Sequence, residues 1–156
     1  MTALNTLDDA ARLLARAGER LQEHLRFAAI ESHRWYVLFK DGGAYELEWS
    51  DDWGWLVLTA ELGHPPPEGE RIALNLALSY NALWRQLGKL RMARDGEDGE
   101  LLLIGEVGPE DADVEGFCAA LIHFESLRRH WMETFERVGR EPAHPPSLPS
   151  QWLERI

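Results

Sequence analysis

The chain has 156 residues, the usual size of one domain, and its 45% apolar and 28% charged residues make an ordinary globular composition. Its 16 Lys and Arg against 27 Asp and Glu give a net charge of −11, which argues against nucleic acid or anionic lipid as the main partner, because phosphate binding needs clustered cations. The single cysteine excludes an intramolecular disulfide, and the lack of a signal-peptide pattern or a long apolar run predicts a cytoplasmic protein without membrane insertion.

The first half of the sequence predicts one helix followed by three strands. Residues 6–25 have an amphipathic pattern, in which apolar side chains recur every three or four positions: Leu7, Ala11, Leu14, Leu21 and Leu25. The period then changes to two, and residues 35–39, 45–49 and 55–62 are rich in aromatic and aliphatic side chains. Short polar turns separate these segments, which predicts an antiparallel meander.

The second half predicts two more helices with two strands between them. We expect a helix over 70–87 that ends at Gly88, strands over 90–94 and 101–107, and a long closing helix over 111–138. The complete order is helix, three strands, helix, two strands, helix. Because the strands do not alternate one-for-one with helices, this order predicts an α+β fold with an antiparallel sheet.

The end of the chain has a different composition. Residues 140–156 contain four prolines, which deny this segment a regular helix or a central strand. We expect residues 1–139 to form the folded domain and residues 140–156 to form an extended tail. Trp152 and Leu153 are candidates to anchor that tail to the body.

Motifs for catalysis, phosphate binding and metal binding are missing from the sequence. Neither the glycine-rich phosphate loops nor the paired-histidine zinc motifs occur. Cys118 is expected to pack as a small apolar residue, and His123 and His130 are two helical turns apart, farther than a usual pair of metal ligands. The carboxylates at positions 46, 48, 51 and 52 are expected to be solvated. We therefore predict no enzyme activity, no metal and no cofactor.

The predicted strands carry apolar side chains on both faces. Trp35, Val37 and Phe39 point one way, and Tyr36 and Leu38 point the other. This surplus suggests that a second subunit or a bound peptide covers part of the sheet. The alternative is that the chain's own helices and tail cover it.

The order of elements and a local match resemble the class I type III secretion chaperones, the Tir-chaperone family. Residues 81–92, followed by an acidic glycine turn and residues 101–104, are similar to that family's second helix running into its fourth and fifth strands. Residues 117–135 resemble its closing helix, and the likeness covers about residues 5–138. It implies a cytoplasmic homodimer, without ATPase activity, that holds the N-terminal segment of a secreted effector extended before export.

Two sets of apolar residues are the candidate sites. The second helix and the following strand predict a dimer interface formed by Leu76, Tyr80, Leu83, Trp84, Leu90 and Met92. The first helix and the first three strands predict a client-binding surface formed by Leu14, Leu21, Leu25, Trp35, Trp49, Trp53 and Trp55. About half of the second set should be core, and Trp53 is the best candidate for exposure because it follows a turn.

Two other functions stay open at this point. The same fold could serve a regulatory protein that sequesters another chaperone or a secretion regulator. The chain could also be an unrelated small α+β ligand binder or enzyme, which would show a deep enclosed pocket with converging polar groups.

Overall fold

The computed structural model describes residues 4–138 and 140. Its elements, in chain order, are helix α1 (Leu7–Arg20), strands β1 (Leu25–Glu31), β2 (Arg34–Phe39), β3 (Ala44–Ser50) and β4 (Trp55–Glu61), helices α2 (Glu70–Ala82) and α3 (Trp84–Leu87), strands β5 (Arg91–Arg94) and β6 (Leu101–Val107), and helix α4 (Val114–Arg137). The six strands form one sheet in the order β1-β2-β3-β4-β6-β5. The predicted α+β class with an antiparallel sheet is confirmed.

The structure contains one strand that the sequence did not predict. The predicted first helix continued to Leu25, but α1 ends at Arg20 and Leu25 begins β1. Strand β1 pairs antiparallel with β2, with Phe27 opposite Val37. Four strands rather than three therefore precede α2, and β1 forms one edge of the sheet.

Helix α1 begins with a capping box. The Thr6 hydroxyl accepts a hydrogen bond from the Asp9 N–H (3.1 Å), and the Asp9 carboxylate accepts one from the Thr6 N–H (3.0 Å). These bonds satisfy backbone donors that a helix start leaves open. Hydrogen bonds from the Thr6 side chain and the Asn5 N–H hold the pKa of Asp9 below its ordinary value.

The described residues fall into two compact units, each with aromatic rings at its centre. The first unit extends to Ala60 and includes Ile104–Leu127. In this unit the Tyr45 hydroxyl donates to the Leu121 carbonyl (2.9 Å), and the Tyr45 ring meets Phe124 edge-on with centroids 4.8 Å apart. These contacts hold β3 against the N-terminal part of α4.

The second unit contains Glu61–Leu103 and the C-terminal part of α4. The Asn81 side chain on α2 donates to the Met92 carbonyl (2.9 Å) and accepts from the Met92 N–H (2.7 Å), so it pairs with β5 as a neighbouring strand would. Tyr80 is buried edge-on against Trp131, with ring centroids 5.0 Å apart. Burial raises the pKa of Tyr80 to about 12.

The core-facing side of α2 differs from the predicted one. The predicted stripe contains Ile72, Leu76, Tyr80, Leu83 and Leu87. The buried residues of α2 are instead Ala73, Ala77 and Tyr80, while Ile72 and Leu78 are exposed. Small alanines allow α2 to pack closely on β5, and Tyr80 is the large side chain of the helix that enters the core.

The predicted helix over 70–87 is divided at Leu83 into α2 and α3. Gly88 ends α3 with a φ of 61°, as its position in the sequence predicts. The proline-rich tail at 140–156, with Trp152 and Leu153, lies outside the described residues apart from Arg140. Within the part of the chain that the structure describes, no helix is both long and apolar enough to span a membrane.

Candidate partner-binding surfaces

An open groove of about 510 Å³ lies along α1 and β1. Helix α1 provides one wall, and β1 provides most of the other. We call it the α1–β1 groove, and its lining residues are Ala11, Leu14, Ala15, Gly18, Gln22, Leu25, Arg26, Phe27, Ala29 and Trp35. Most of these side chains are apolar, so the groove offers contact area to apolar groups of a partner.

Small residues on α1 explain why a groove forms at this place. Ala11, Ala15 and Gly18 recur every three or four positions, so this flank of the helix projects almost no side chain. The Phe27 ring lies close to the gap in the helix surface, because a Cβ atom built on Gly18 would be 3.4 Å from its Cδ2 atom. Helix α1 therefore projects little side chain into the groove, and the Phe27 ring is one of the lining groups.

The edge position of β1 gives the groove a second property. Strand β1 is first in the sheet order, so among the described residues it pairs with a strand on one side only. An extended peptide can add to such an edge through backbone hydrogen bonds, while its alternate side chains enter neighbouring pockets.

The structure brings together three of the seven predicted client-binding residues. Leu14, Leu25 and Trp35 line the groove, although the first two are nearly fully buried and contribute mainly to its base. The other four residues, Leu21, Trp49, Trp53 and Trp55, are not among the lining residues.

The tryptophans of this set differ sharply in exposure. Trp49 is a core residue, and its indole N–H donates to the Asp51 carboxylate (2.6 Å). Trp53, in the turn between β3 and β4, is 73% exposed, as its place in the sequence predicts. Trp55 is half-buried.

Sequence reasoning missed the small groove residues and Phe27. The available signal was the spacing of Ala11, Ala15 and Gly18 on one flank of a predicted helix, with the glycine in its interior. This spacing marks a surface that another chain can approach closely. The predicted client-binding surface consisted of large apolar side chains instead.

Helices α2 and α3 carry three further exposed apolar residues, Ile72, Leu78 and Trp84. We call the exposed side of these two helices the α2–α3 surface; Ile72 and Leu78, six residues apart, are separated by about 120° around α2. Leu78 is 69% exposed and Trp84 is 62% exposed, and the Arg85 guanidinium lies 5.0 Å from the centre of the Trp84 ring. Exposed apolar side chains of this size, so close in the chain, are typical of a protein interface.

The predicted dimer-interface residues divide into two groups. Trp84 is exposed, and Leu76, Leu83 and Leu90 are half-buried, so these four can contact a partner. Tyr80 and Met92 are buried within the second unit and act as core residues.

The sequence profile of the Tir chaperone protein (CesT) family matches residues 12–132 of this chain. The chain belongs to that family. No curated protein sequence matches the chain.

Solved structures with the same fold are chains of protein complexes. A chain of the ExsC-ExsE complex is 20% identical over 84% of this chain and 96% of its own, with a TM-score of 0.69. A chain of the HopA1-SchA chaperone-effector complex is 16% identical over 83% and 94%, with a TM-score of 0.61. A chain of the heterodimeric ExoU-SpcU complex from the type III secretion system of Pseudomonas aeruginosa is 19% identical over 74% and 93%, with a TM-score of 0.56.

Cys118, the one cysteine of the chain, is placed as a structural group. Cys118 is buried, as predicted, and its burial raises the pKa of the thiol and so disfavours the reactive thiolate. Within residues 4–138 and 140, no group of three or more His, Cys, Asp or Glu side chains could hold a metal ion.

Proposed function

We propose that this chain is a type III secretion chaperone that binds the N-terminal segment of a secreted effector and keeps it extended and ready for export. The α1–β1 groove, in a member of the Tir chaperone family, is the observation that carries the proposal. The chain acts in the bacterial cytoplasm, and binding requires no nucleotide. Two of the three similar structures support this function, because one is titled a chaperone-effector complex and the other a complex of the type III secretion system.

The groove suits an extended peptide better than a compact ligand. It is open to solvent, whereas a small-molecule site encloses most of its ligand around a few converging polar groups. Arg26 and Gln22 are the two polar side chains among its ten lining residues, so apolar contact dominates. This geometry favours a chaperone over a small-ligand binder or an enzyme.

Edge-strand pairing explains how the effector segment stays unfolded. Backbone hydrogen bonds to β1 satisfy the polar groups of an extended client, and the groove takes the side chains on one face of the added strand. The cost of ordering a disordered segment is offset by the large surface over which it is wrapped. Neither step consumes an energy source.

A substitution that fills the groove tests this proposal. We expect Ala15→Trp to weaken binding of about the first hundred residues of a candidate effector by at least tenfold, since the new ring occupies space along the groove wall. Ala119→Trp is the matched control, because Ala119 is exposed on α4 and lies outside the groove. Calorimetry gives the affinities, and circular dichroism verifies the fold.

Two results would contradict the proposal. Equal affinities of the Ala15→Trp variant and the native chain would exclude the groove as the client site. If candidate effectors fail to bind and a secretion regulator, another chaperone or a small metabolite binds instead, the chain has one of the alternative functions.

We also propose that the chain forms a homodimer through the α2–α3 surface. Leu78 and Trp84 are large apolar side chains that the core of the second unit leaves exposed to solvent. Such exposure is typical of residues that a partner covers. A stable self-association buries roughly 800 Å² on each partner, and a two-fold axis would bring the same patch of both copies together.

A further inference from the structure

The meander formed by β1 to β4 has a second face that neither the α1–β1 groove nor the α2–α3 surface uses. Side chains alternate along each strand, so buried Val37, Leu47 and Leu58 define the core side. The strand register assigns the remaining positions to the opposite side, which we call the outer face. Its residues are Arg26, Ala28, Arg34, Tyr36, Leu38, Ala44, Glu46, Glu48, Ser50, Trp55, Val57 and Thr59, with Ile30 and Glu31 at the bulge of β1.

The outer face is apolar along its β1–β2 margin. Tyr36 is 45% exposed, and Ile30 is also exposed. The register places Tyr36 between Ala28 on β1 and Glu46 on β3. Val57 on β4 lies directly opposite Glu48 on β3 and adds a half-buried aliphatic group on the β4 side of the face. Two apolar margins therefore flank the acidic residues of β3.

The centre of the outer face is acidic. Arg34 forms ion pairs with Glu46 (2.6 Å) and Glu31 (3.2 Å), and the register places Glu48 directly opposite it. Three carboxylates thus surround one guanidinium, while Arg26, the other Lys or Arg of this face, lies at its β1 end opposite Leu38. His33 Nε2 lies 3.8 Å from the Glu31 carboxylate and 3.9 Å from the Glu48 carboxylate.

The ion pairs leave acceptor capacity on this face. The Arg34 guanidinium contacts Glu46 from Nε at 2.8 Å and from Nη2 at 2.6 Å, and both contacts end on the same atom, Oε1. The other oxygen, Oε2, and the half-exposed Glu48 carboxylate remain able to accept hydrogen bonds from a partner's cations.

We propose that the outer face is a second docking surface, which binds a cationic amphipathic segment of a partner protein. Lysine or arginine side chains of that segment meet Glu46 and Glu48, and its apolar side chains cover Tyr36, Ile30 and Val57. Charge complementarity selects this occupant over a second copy of the chain, since each copy carries the same acidic face and a net charge of −11.

The two docking surfaces lie mainly on opposite sides of the strands, and Arg26 is the residue common to both. Phe27 and Trp35 face the groove, whereas their neighbours Ala28 and Tyr36 lie on the outer face. One chain can therefore hold a client segment in the groove and a second, basic partner segment on the outer face at the same time.

A synthetic peptide tests the outer face without a known partner. The probe is a peptide of about eight residues, the length of one strand, with alternating lysine and valine. We expect it to bind the full chain and to shift the backbone amide resonances of 34–38 and 46–48. A lysine–glycine peptide of equal charge should bind more weakly, because it lacks the apolar contacts.

Paired charge variants separate this site from general attraction to an acidic protein. Replacing both Glu46 and Glu48 by Gln should weaken binding roughly fivefold, because two exposed charge contacts are lost. The control replaces Glu97 and Asp98, in the turn between β5 and β6, by Gln and Asn and should leave the affinity unchanged. Glu48→Gln alone retains the Arg34–Glu46 pair, so it tests the site if the double variant folds poorly.

Three results would overturn the proposal. The first is an equal loss of peptide affinity in the control variant at Glu97 and Asp98. The second is peptide binding that misses the outer face, seen either as resonance shifts confined to the groove or as no binding at all. The third is a loss of self-association in Tyr36→Ser, which would assign the outer face to a second copy of the chain.

Discussion

The hydroxyl of Tyr45 joins the sheet to the closing helix. It donates to the Leu121 carbonyl at 2.9 Å in a buried site. We expect Tyr45→Phe to lower the free energy of unfolding by about 1 kcal/mol, because the ring remains while one buried hydrogen bond is lost. Urea denaturation measures the change. Tyr36→Phe is the control, since Tyr36 is an exposed residue of the outer face, and an equal loss in both variants would contradict the role of this bond.

Asp9 contributes a pH-dependent term to the stability of α1. Its pKa is lowered in the folded chain, chiefly by the hydrogen bond with the Thr6 side chain and then by the Asn5 N–H. A carboxylate with a lowered pKa stabilises the fold above its unfolded pKa of about 4, and this stabilisation is lost as pH falls through the folded pKa. We therefore expect Asp9→Asn to destabilise the chain at pH 7 but much less near pH 3.

The control for the Asp9 variant is a substitution of Asp8, the other acidic residue in the first turn of α1. Asp8→Asn leaves the capping box intact, so any loss of stability in this variant reflects the helix dipole alone and should be smaller. Urea denaturation at both pH values gives the free energies. A difference between the native chain and Asp9→Asn that stays constant down to pH 3 would exclude the capping carboxylate as its source.

Two glycines show how one residue type has opposite roles in different elements. Gly88, which ends α3, has φ 61° and ψ −114°, a conformation that side chains with a Cβ rarely adopt. Gly18 lies inside α1, where a Cβ would make only an ordinary contact with Phe27. We expect Gly88→Ala to lower the free energy of unfolding by about 1–3 kcal/mol, and Gly18→Ala to raise it by about 0.5–1 kcal/mol.

Thermal and urea unfolding of both variants check this pair. The opposite signs make the test specific, because a general effect of alanine would change both variants in one direction. A stable Gly88→Ala protein would show that another residue in this turn absorbs the strain.

Strands β6 and β1 show which elements the sequence could predict. The segment Leu101–Val107 is strongly apolar and is followed by Gly108 and Pro109, so its bounds were predicted correctly. Strand β1 has no such signals, since Leu25 fits the helical stripe of α1 and the following residues lack a regular alternation. Pairing with β2 overrides the local preference there, and a tertiary effect of this kind is not visible in a local pattern.

The candidate site was predicted in part for a related reason. The exposure of Trp53 is confirmed, because a short turn with Gly54 at φ 64° leaves no neighbouring element to cover the ring. Trp49, only four residues earlier, is core because β3 directs it toward the buried side. The groove depends on residues with little side chain, such as Ala15, which a search for large apolar residues overlooks.

At the scale of the whole molecule, net charge and client binding are expected to be largely independent. The chain carries −11, and residues 95–115 contain nine acids without a Lys or Arg, but the groove contains one charged side chain, Arg26. We expect the affinity for an effector segment to change less than about threefold between 50 and 300 mM salt, since apolar contact is not screened. Calorimetry at both salt concentrations measures it, and a steep loss with salt would show that the acidic run attracts a basic client.

Placing one charge at Leu78, the most exposed leucine of the α2–α3 surface, tests whether two copies of the chain assemble through this surface. Leu78→Asp should leave the fold of the isolated chain intact, because Leu78 is outside the core. In a dimer the new carboxylate would be buried without a partner, which costs about 3–5 kcal/mol and raises the dissociation constant at least a hundredfold. Sedimentation should therefore find dimers of the native chain and monomers of Leu78→Asp at micromolar concentration, with Leu83→Asp reproducing the effect. Ile122→Asp, an equivalent change on α4, should remain dimeric, and a native chain that sediments as a monomer would exclude this interface.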